Sequence, residues 1–169
     1  MTMPTIEDSD AIAAVHVRSW QSAYAHIFPA SFLREMSIAD RATRWKMVLN
    51  ANESKTLVTR SESGQIIAFA NFGRCRDSEA ATTQGEIWAL YASPDVWDQG
   101  VGRELLKQAL FQLKELGFTS VSLWILSKNQ RGIRFYKAAG FTEIEGSAKT
   151  FELGGTLVEE LRLVMRYEA

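Results

Sequence analysis

The order of apolar and polar positions divides the chain into alternating helical and extended segments. Over residues 10–24, Ile12, Val15, Trp20 and Tyr24 roughly follow helical spacing, with Asp8 or Ser9 ahead of them as a cap. Pro29 ends that stretch or opens the next. Residues 37–49 read as a second helix. Ser37 and Asp40 have capping-box spacing, and Ile38, Ala42, Trp45 and Val48 form one apolar face. Residues 56–59 and 65–72 read as a hairpin that turns at 61–64, its second strand apolar enough to be buried on both faces. A polar loop over 74–85 leads to another apolar strand, 86–92, closed by Ser93 and Pro94. Beyond Gly100 and Gly102, the positions Leu105, Leu106, Ala109, Leu110, Leu113 and Leu116 repeat with a period of 3.6, and Gly117 sits where a left-handed cap belongs. A strand at 121–126, a short helix at 129–139 ending on Gly140, and apolar segments at 141–144 and 157–165 complete the order. This order predicts a mixed α/β domain with a single sheet, spanning residues 1–169.

Composition narrows the function classes. With 46% hydrophobic and 23% charged residues, the chain falls among globular proteins and outside the disordered and low-complexity classes. Its 19 Lys and Arg against 20 Asp and Glu leave no basic excess, which argues against a nucleic-acid partner. A lone cysteine, Cys75, forms no internal disulfide and reads as incidental. No stretch approaches the ~20 apolar residues of a membrane helix, and the first ten residues lack the pattern of a secretory signal. The expectation is a cytoplasmic domain with no membrane partner. His16 and His26 have no company at metal-ligand spacing, so no metal is expected.

The chemistry concentrates in two segments. Trp97-Asp98-Gln99-Gly100-Val101-Gly102-Arg103 joins a strand to an amphipathic helix. Glycines there serve a tight turn, or let backbone N–H groups at a helix N-terminus approach an anion, phosphate above all. The dinucleotide fingerprint fails, because Leu105 occupies its third small position, and Arg103-Glu104 after Gly102 rules out a P-loop. The second segment is Asn129 to Phe141, with Phe135-Tyr136 and Gly140-Phe141 inside it. Together, in this order and on these elements, the two segments resemble the GNAT superfamily of acyl-CoA-dependent N-acetyltransferases. The strand from Glu86 to Pro94 is similar to that family's central strand, and Ser19-Trp20-Gln21-Ser22-Ala23-Tyr24 to the first helix of some bacterial members. Two positions depart from the family pattern. Trp97 stands where Arg or Gln is usual, and Asp98 where Gly is frequent. Asp98 opposes the field that favours an anion, and Arg103 restores part of it.

The resemblance implies an α/β (α+β) fold: one mixed, mostly antiparallel sheet of six or seven strands, splayed at its centre and flanked by four helices. It implies acetyl-CoA as co-substrate, held by Leu90, Tyr91, Ala92, Trp97, Asp98, Gln99, Gly100, Val101, Gly102, Arg103, Asn129 and Tyr136. It further implies transfer to a primary amine of a small molecule by direct attack, with Tyr136 as acid near the CoA sulfur. The alternatives are a protein or peptide acceptor, or a CoA-binding regulatory module without turnover. Dimers are common among similar proteins. Glu86 opens an otherwise apolar strand, either as a solvated strand-end charge or as the catalytic base, with Glu143, Glu159 and Glu160 as rivals. Asn129 is also placed to cap its helix. Trp20, Tyr24 and Trp88 serve the core or line an acceptor pocket.

Overall fold

The computed structural model describes residues 1–168. Its elements are α1 (Ser9–Ala23), α2 (Ala30–Arg34), α3 (Ile38–Ala51), β1 (Lys55–Arg60), β2 (Ile66–Arg74), β3 (Gln84–Ala92), α4 (Val101–Glu115), β4 (Ser120–Leu126), α5 (Gln130–Ala138), β5 (Thr142–Glu143), β6 (Lys149–Leu153) and β7 (Thr156–Arg166). The four expected helices are α1, α3, α4 and α5. The fifth, α2, is a single turn that Pro29 opens. The sequence pattern also missed strand β6, because its residues are almost all exposed and show no apolar alternation.

The seven strands form one sheet in the order β1-β2-β3-β4-β7-β5, with β6 also paired to β7. Every pairing is antiparallel except β3 with β4. That parallel ladder joins Gln84, Gly85 and Glu86 to Ser120, Val121 and Ser122 and then stops. A cause lies on the opposite edge of β3. Asn71 pairs with Ala89 and Phe72 with Ile87, so Trp88 is an extra residue, and such a bulge bends its strand. The sheet is therefore splayed between β3 and β4.

Both faces of the sheet are covered. On one, Leu105, Leu106, Ala109 and Leu113 of α4 and Ile133 of α5 pack on Phe72, Val121, Leu123 and Leu163. On the other, Ile12, Ala13 and Val15 of α1 and Ala42 and Trp45 of α3 pack on Val58 and Phe69. This double cover explains why β2 is buried continuously from Ala68 to Gly73. The helix ends follow their capping residues. Ser37 Oγ accepts from Asp40 N–H at 3.1 Å, and Asn129 Oδ1 accepts from Gly132 N–H at 3.0 Å.

His16 lies inside this packing. Its Nδ1 accepts from Trp45 Nε1 at 3.2 Å, and its ring stacks on Tyr91 with centroids 4.7 Å apart. Burial, with the nearby charge of Arg41, lowers its pKa to about 3. In the unfolded chain the imidazole takes a proton near its ordinary value of about 6.5. Between these values the unfolded state binds more protons, so stability is lost as pH falls through that window. Urea titrations should show about 2 kcal/mol less stability at pH 5 than at pH 7, and His16→Gln should flatten this slope. Equal pH slopes in the two chains would remove His16 as the cause.

Candidate active site

Two cavities open along the splayed edge of β3. The larger, about 450 Å³, lies between that edge and the start of α4. Eight of the sequence-predicted cofactor residues line it: Leu90, Tyr91, Ala92, Trp97, Asp98, Gly100, Gly102 and Arg103. Ser19 and Ala23 of α1 and Arg131, Arg134 and Phe135 of α5 complete much of the wall. Four predicted residues do not line it. Gln99 is exposed and donates to the Asp95 carbonyl at 2.9 Å, Val101 packs on the core, Asn129 caps α5, and Tyr136 faces the second cavity.

The start of α4 is built to leave donors free. Gly100 has φ +84°, a backbone conformation that strongly favours glycine. The Gly100 carbonyl accepts the first intrahelical bond, from Glu104 N–H at 3.0 Å, so the N–H groups of Val101, Gly102 and Arg103 have no intrahelical partner. No side chain caps this end. A Cβ on Gly102 would meet nothing nearer than the Phe135 ring at 3.7 Å. The protein's own packing therefore makes no demand for glycine there, whereas a ligand approaching the first turn of α4 would.

The edge of β3 supplies further donors. Ser93 N–H donates to the Ile67 carbonyl of β2, so by alternation the backbone groups of Leu90 and Ala92 point away from β2 into the splay. The Ala92 carbonyl is already taken, by Ser19 Oγ at 2.7 Å and Trp97 Nε1 at 2.8 Å. No strand covers the Leu90 and Ala92 N–H groups, because the β3–β4 ladder has ended.

The second cavity, about 180 Å³, lies between β3 and β4 and shares Leu90 and Tyr91 with the first. Trp20, Tyr24 and Trp88 line it, together with Trp124, Tyr136, Phe151 and Glu160. Burial, with the neighbouring Tyr91, raises the Tyr136 phenol well above its ordinary value, so it stays protonated at neutral pH. Its ring is held edge-on by Phe135 and Phe141, at 5.1 and 5.6 Å. Burial also holds the Glu160 carboxyl above the usual carboxylate value against the nearby Lys149 charge, and the Asp77 and Glu86 carboxylates add to the rise.

Glu86 is placed differently. It is 1% exposed and lines neither cavity. Its Oε2 accepts from the Arg76 backbone N–H at 2.8 Å, and its Oε1 from Arg76 Nε at 3.1 Å and from Arg76 Nη2. Both oxygens are thus engaged in pinning the 75–83 loop. Arg76 in turn lies 4.7 Å above the Trp88 ring. Among the described residues no group of three or more His, Cys, Asp or Glu side chains is placed to hold a metal.

Residues 17–141 match the family model described as Acetyltransferase (GNAT) family. The chain belongs to the GNAT family. It is 32% identical over 158 residues to the uncharacterized N-acetyltransferase YuaI of Bacillus subtilis (strain 168), covering 94% of this chain and 87% of that one. The spermidine N(1)-acetyltransferase of Thermoplasma acidophilum is 27% identical, over 81% of this chain and 84% of its own. The [ribosomal protein bS18]-alanine N-acetyltransferase of Escherichia coli (strain K12) is 25% identical, over 84% and 81%. Among solved structures, the PaiA N-acetyltransferase of Thermoplasma acidophilum in complex with coenzyme A has the same fold. It has a TM-score of 0.73 at 19% identity, over 98% of this chain and 97% of that one. This GNAT chain is an acetyl-CoA-dependent N-acetyltransferase, and its relatives include enzymes named for a small amine and for a protein acceptor.

The sequence reading passed over several lining residues of this GNAT site. Trp124 and Phe151 reach it from β4 and the unrecognised β6, and Arg131 from the first turn of α5. The alternation Ser122-Trp124-Leu126 was the available signal for Trp124, since it puts one face of β4 against the splay. Arg76, outside both cavities, gave no signal, because it is a turn of the 75–83 loop that brings it to Glu86 on β3. If Glu86 serves mainly to hold that loop, Glu86→Gln should lower stability by about 1.5–3 kcal/mol through loss of charged hydrogen bonds. Guanidinium titration would measure it, and an unchanged midpoint would contradict this role.

Proposed function

We propose that this enzyme moves the acetyl group of acetyl-CoA directly to the primary amine of a small molecule, within a complex of both substrates. The observation that carries the reading is the meeting of two cavities at Leu90 and Tyr91, on the open edge of β3. The larger one, with free N–H groups at the start of α4, suits a diphosphate and a pantetheine arm. The smaller one is walled by aromatic rings and has the size of a small amine. That small volume between aromatic walls favours a small acceptor over a length of polypeptide.

The chemistry follows from the groups present. An alkylamine with pKa near 10.4 needs about 4.6 kcal/mol to shed its proton at pH 7, from ~3.4 pK units at ~1.36 each. Glu160, half-buried and facing the acceptor cavity, takes that proton. It replaces Glu86 in this role, because both Glu86 oxygens are occupied by Arg76. The amine nitrogen attacks the thioester carbon, and the oxyanion is met by backbone N–H groups of β3 at Leu90 and Ala92. As the C–S bond breaks, the second amine proton passes to sulfur, and the Tyr136 hydroxyl donates a hydrogen bond to the developing thiolate. Its raised pKa keeps it a donor throughout.

Thiol release from acetyl-CoA with a panel of amines, amino acids and peptides tests the reading. Small amines should turn over, and turnover of peptides alone would overturn the acceptor class. Tyr136→Phe should lower kcat about 100-fold with little change in CoA affinity, at the lower end of what one hydrogen-bond donor to a developing anion contributes. The acid limb of kcat/KM should lie above the ordinary carboxylate range and vanish in Glu160→Gln. An acid limb that survives Glu160→Gln and vanishes in Glu86→Gln would return the base to Glu86.

A further inference from the structure

Side chains from two distant segments meet at the mouth of the larger cavity. Arg131, in the first turn of α5, lays its guanidinium over the Trp97 ring at 4.1 Å. Its Nη2 donates to Asp98 Oδ1 at 3.0 Å. Trp97 is itself fixed, since Nε1 donates to the Ala92 carbonyl at the end of β3. Asp98 stands at φ +62°, one of two described non-glycine residues in the left-handed region. All three side chains line the cavity, with Arg103 and Arg134 beside them.

This arrangement does little for the fold. The side chains of Arg131 and Asp98 are 46% and 88% exposed, and an exposed ion pair contributes little to stability. It does more for the field at the mouth. Three guanidiniums face one carboxylate there, beside the unpaired N–H groups that start α4. A ligand with at least two negative charges fits that balance. Among the three arginines, Arg131 is the one held in position by both a ring beneath it and an acceptor beside it. A planar guanidinium fixed in this way presents two parallel N–H groups, a geometry that matches phosphate oxygens.

We propose that Arg131, shelved on Trp97, is the side-chain partner of the CoA diphosphate, and that Asp98 competes with the diphosphate for it. In the free enzyme Asp98 holds the guanidinium over the mouth. When the carrier enters, Arg131 exchanges the Asp98 carboxylate for phosphate oxygens. Asp98 thereby weakens carrier affinity and eases release of CoA after transfer. The inference rests on the larger cavity being the CoA site, as in the proposed function.

The two partners of one ion pair give opposite signs under this scheme. Calorimetric titration of CoA into wild type, Arg131→Ala, Arg131→Lys and Asp98→Asn distinguishes it from a structural brace. Asparagine tolerates the left-handed backbone, so Asp98→Asn removes only the charge. Arg131→Ala should weaken CoA binding about tenfold or more, with Arg131→Lys in between, and Asp98→Asn should tighten it severalfold. Thermal melting should stay within a few degrees of wild type in all three variants. Wild-type affinity in Arg131→Ala, or weakening in both Arg131→Ala and Asp98→Asn, overturns the exchange while leaving the CoA site intact. A wild-type enzyme that takes up no CoA overturns the site and the exchange together.

Discussion

The arrangement depends on one interruption of hydrogen bonding. The β3–β4 ladder ends after Glu86 and Ser122, and the strands part. A sheet that stayed closed would consume the N–H groups of Leu90 and Ala92 and would leave no room between Trp88 and Trp124. Unpaired backbone donors are costly when buried, so the gap persists only where other contacts support it. The Trp88 bulge bends β3, and Ser19 and Trp97 satisfy the Ala92 carbonyl from outside the sheet. Tyr136 fills the floor from α5. The open edge is thus held from three directions, and both cavities inherit their shape from it.

Charge is arranged around that gap with a division of labour. Cationic and N–H groups gather at the larger cavity, where Arg103, Arg131 and Arg134 join the start of α4. Around the smaller cavity the charges largely answer one another. Arg76 answers Glu86, while Arg162 and Lys149 lie 2.9 and 3.9 Å from Asp77. Glu160 is left as the carboxylate that lines the aromatic cavity. A half-buried carboxylate facing a pocket is suited to take a proton, whereas one held on one oxygen by a guanidinium and on the other by a backbone N–H is suited to hold a loop.

Much of the fold was legible because its signals are local. The 3.6 period of α4, the Asn129 cap and the left-handed Gly100 and Gly117 each depend on a few neighbouring residues. The apolar run of β2 carries its double burial openly. Strand β6 was hidden because it pairs at an exposed edge, and α2 because one turn is too short for a period to show. The splay came from family resemblance alone, since a ladder that stops early leaves the pattern of each strand unchanged. The engagement of Glu86 by Arg76 was out of reach for a related reason. Alternation gives the face on which a side chain stands but does not identify its partner, and Arg76 meets Glu86 through a turn of the 75–83 loop.

A crystal structure of the enzyme grown with CoA is the most direct measurement. The carrier should lie in the gap, its diphosphate on the N–H groups of Val101, Gly102 and Arg103 and its pantetheine arm along Leu90 and Ala92. A carrier bound elsewhere on the surface, or a gap closed by continued pairing of β3 with β4, would contradict the account.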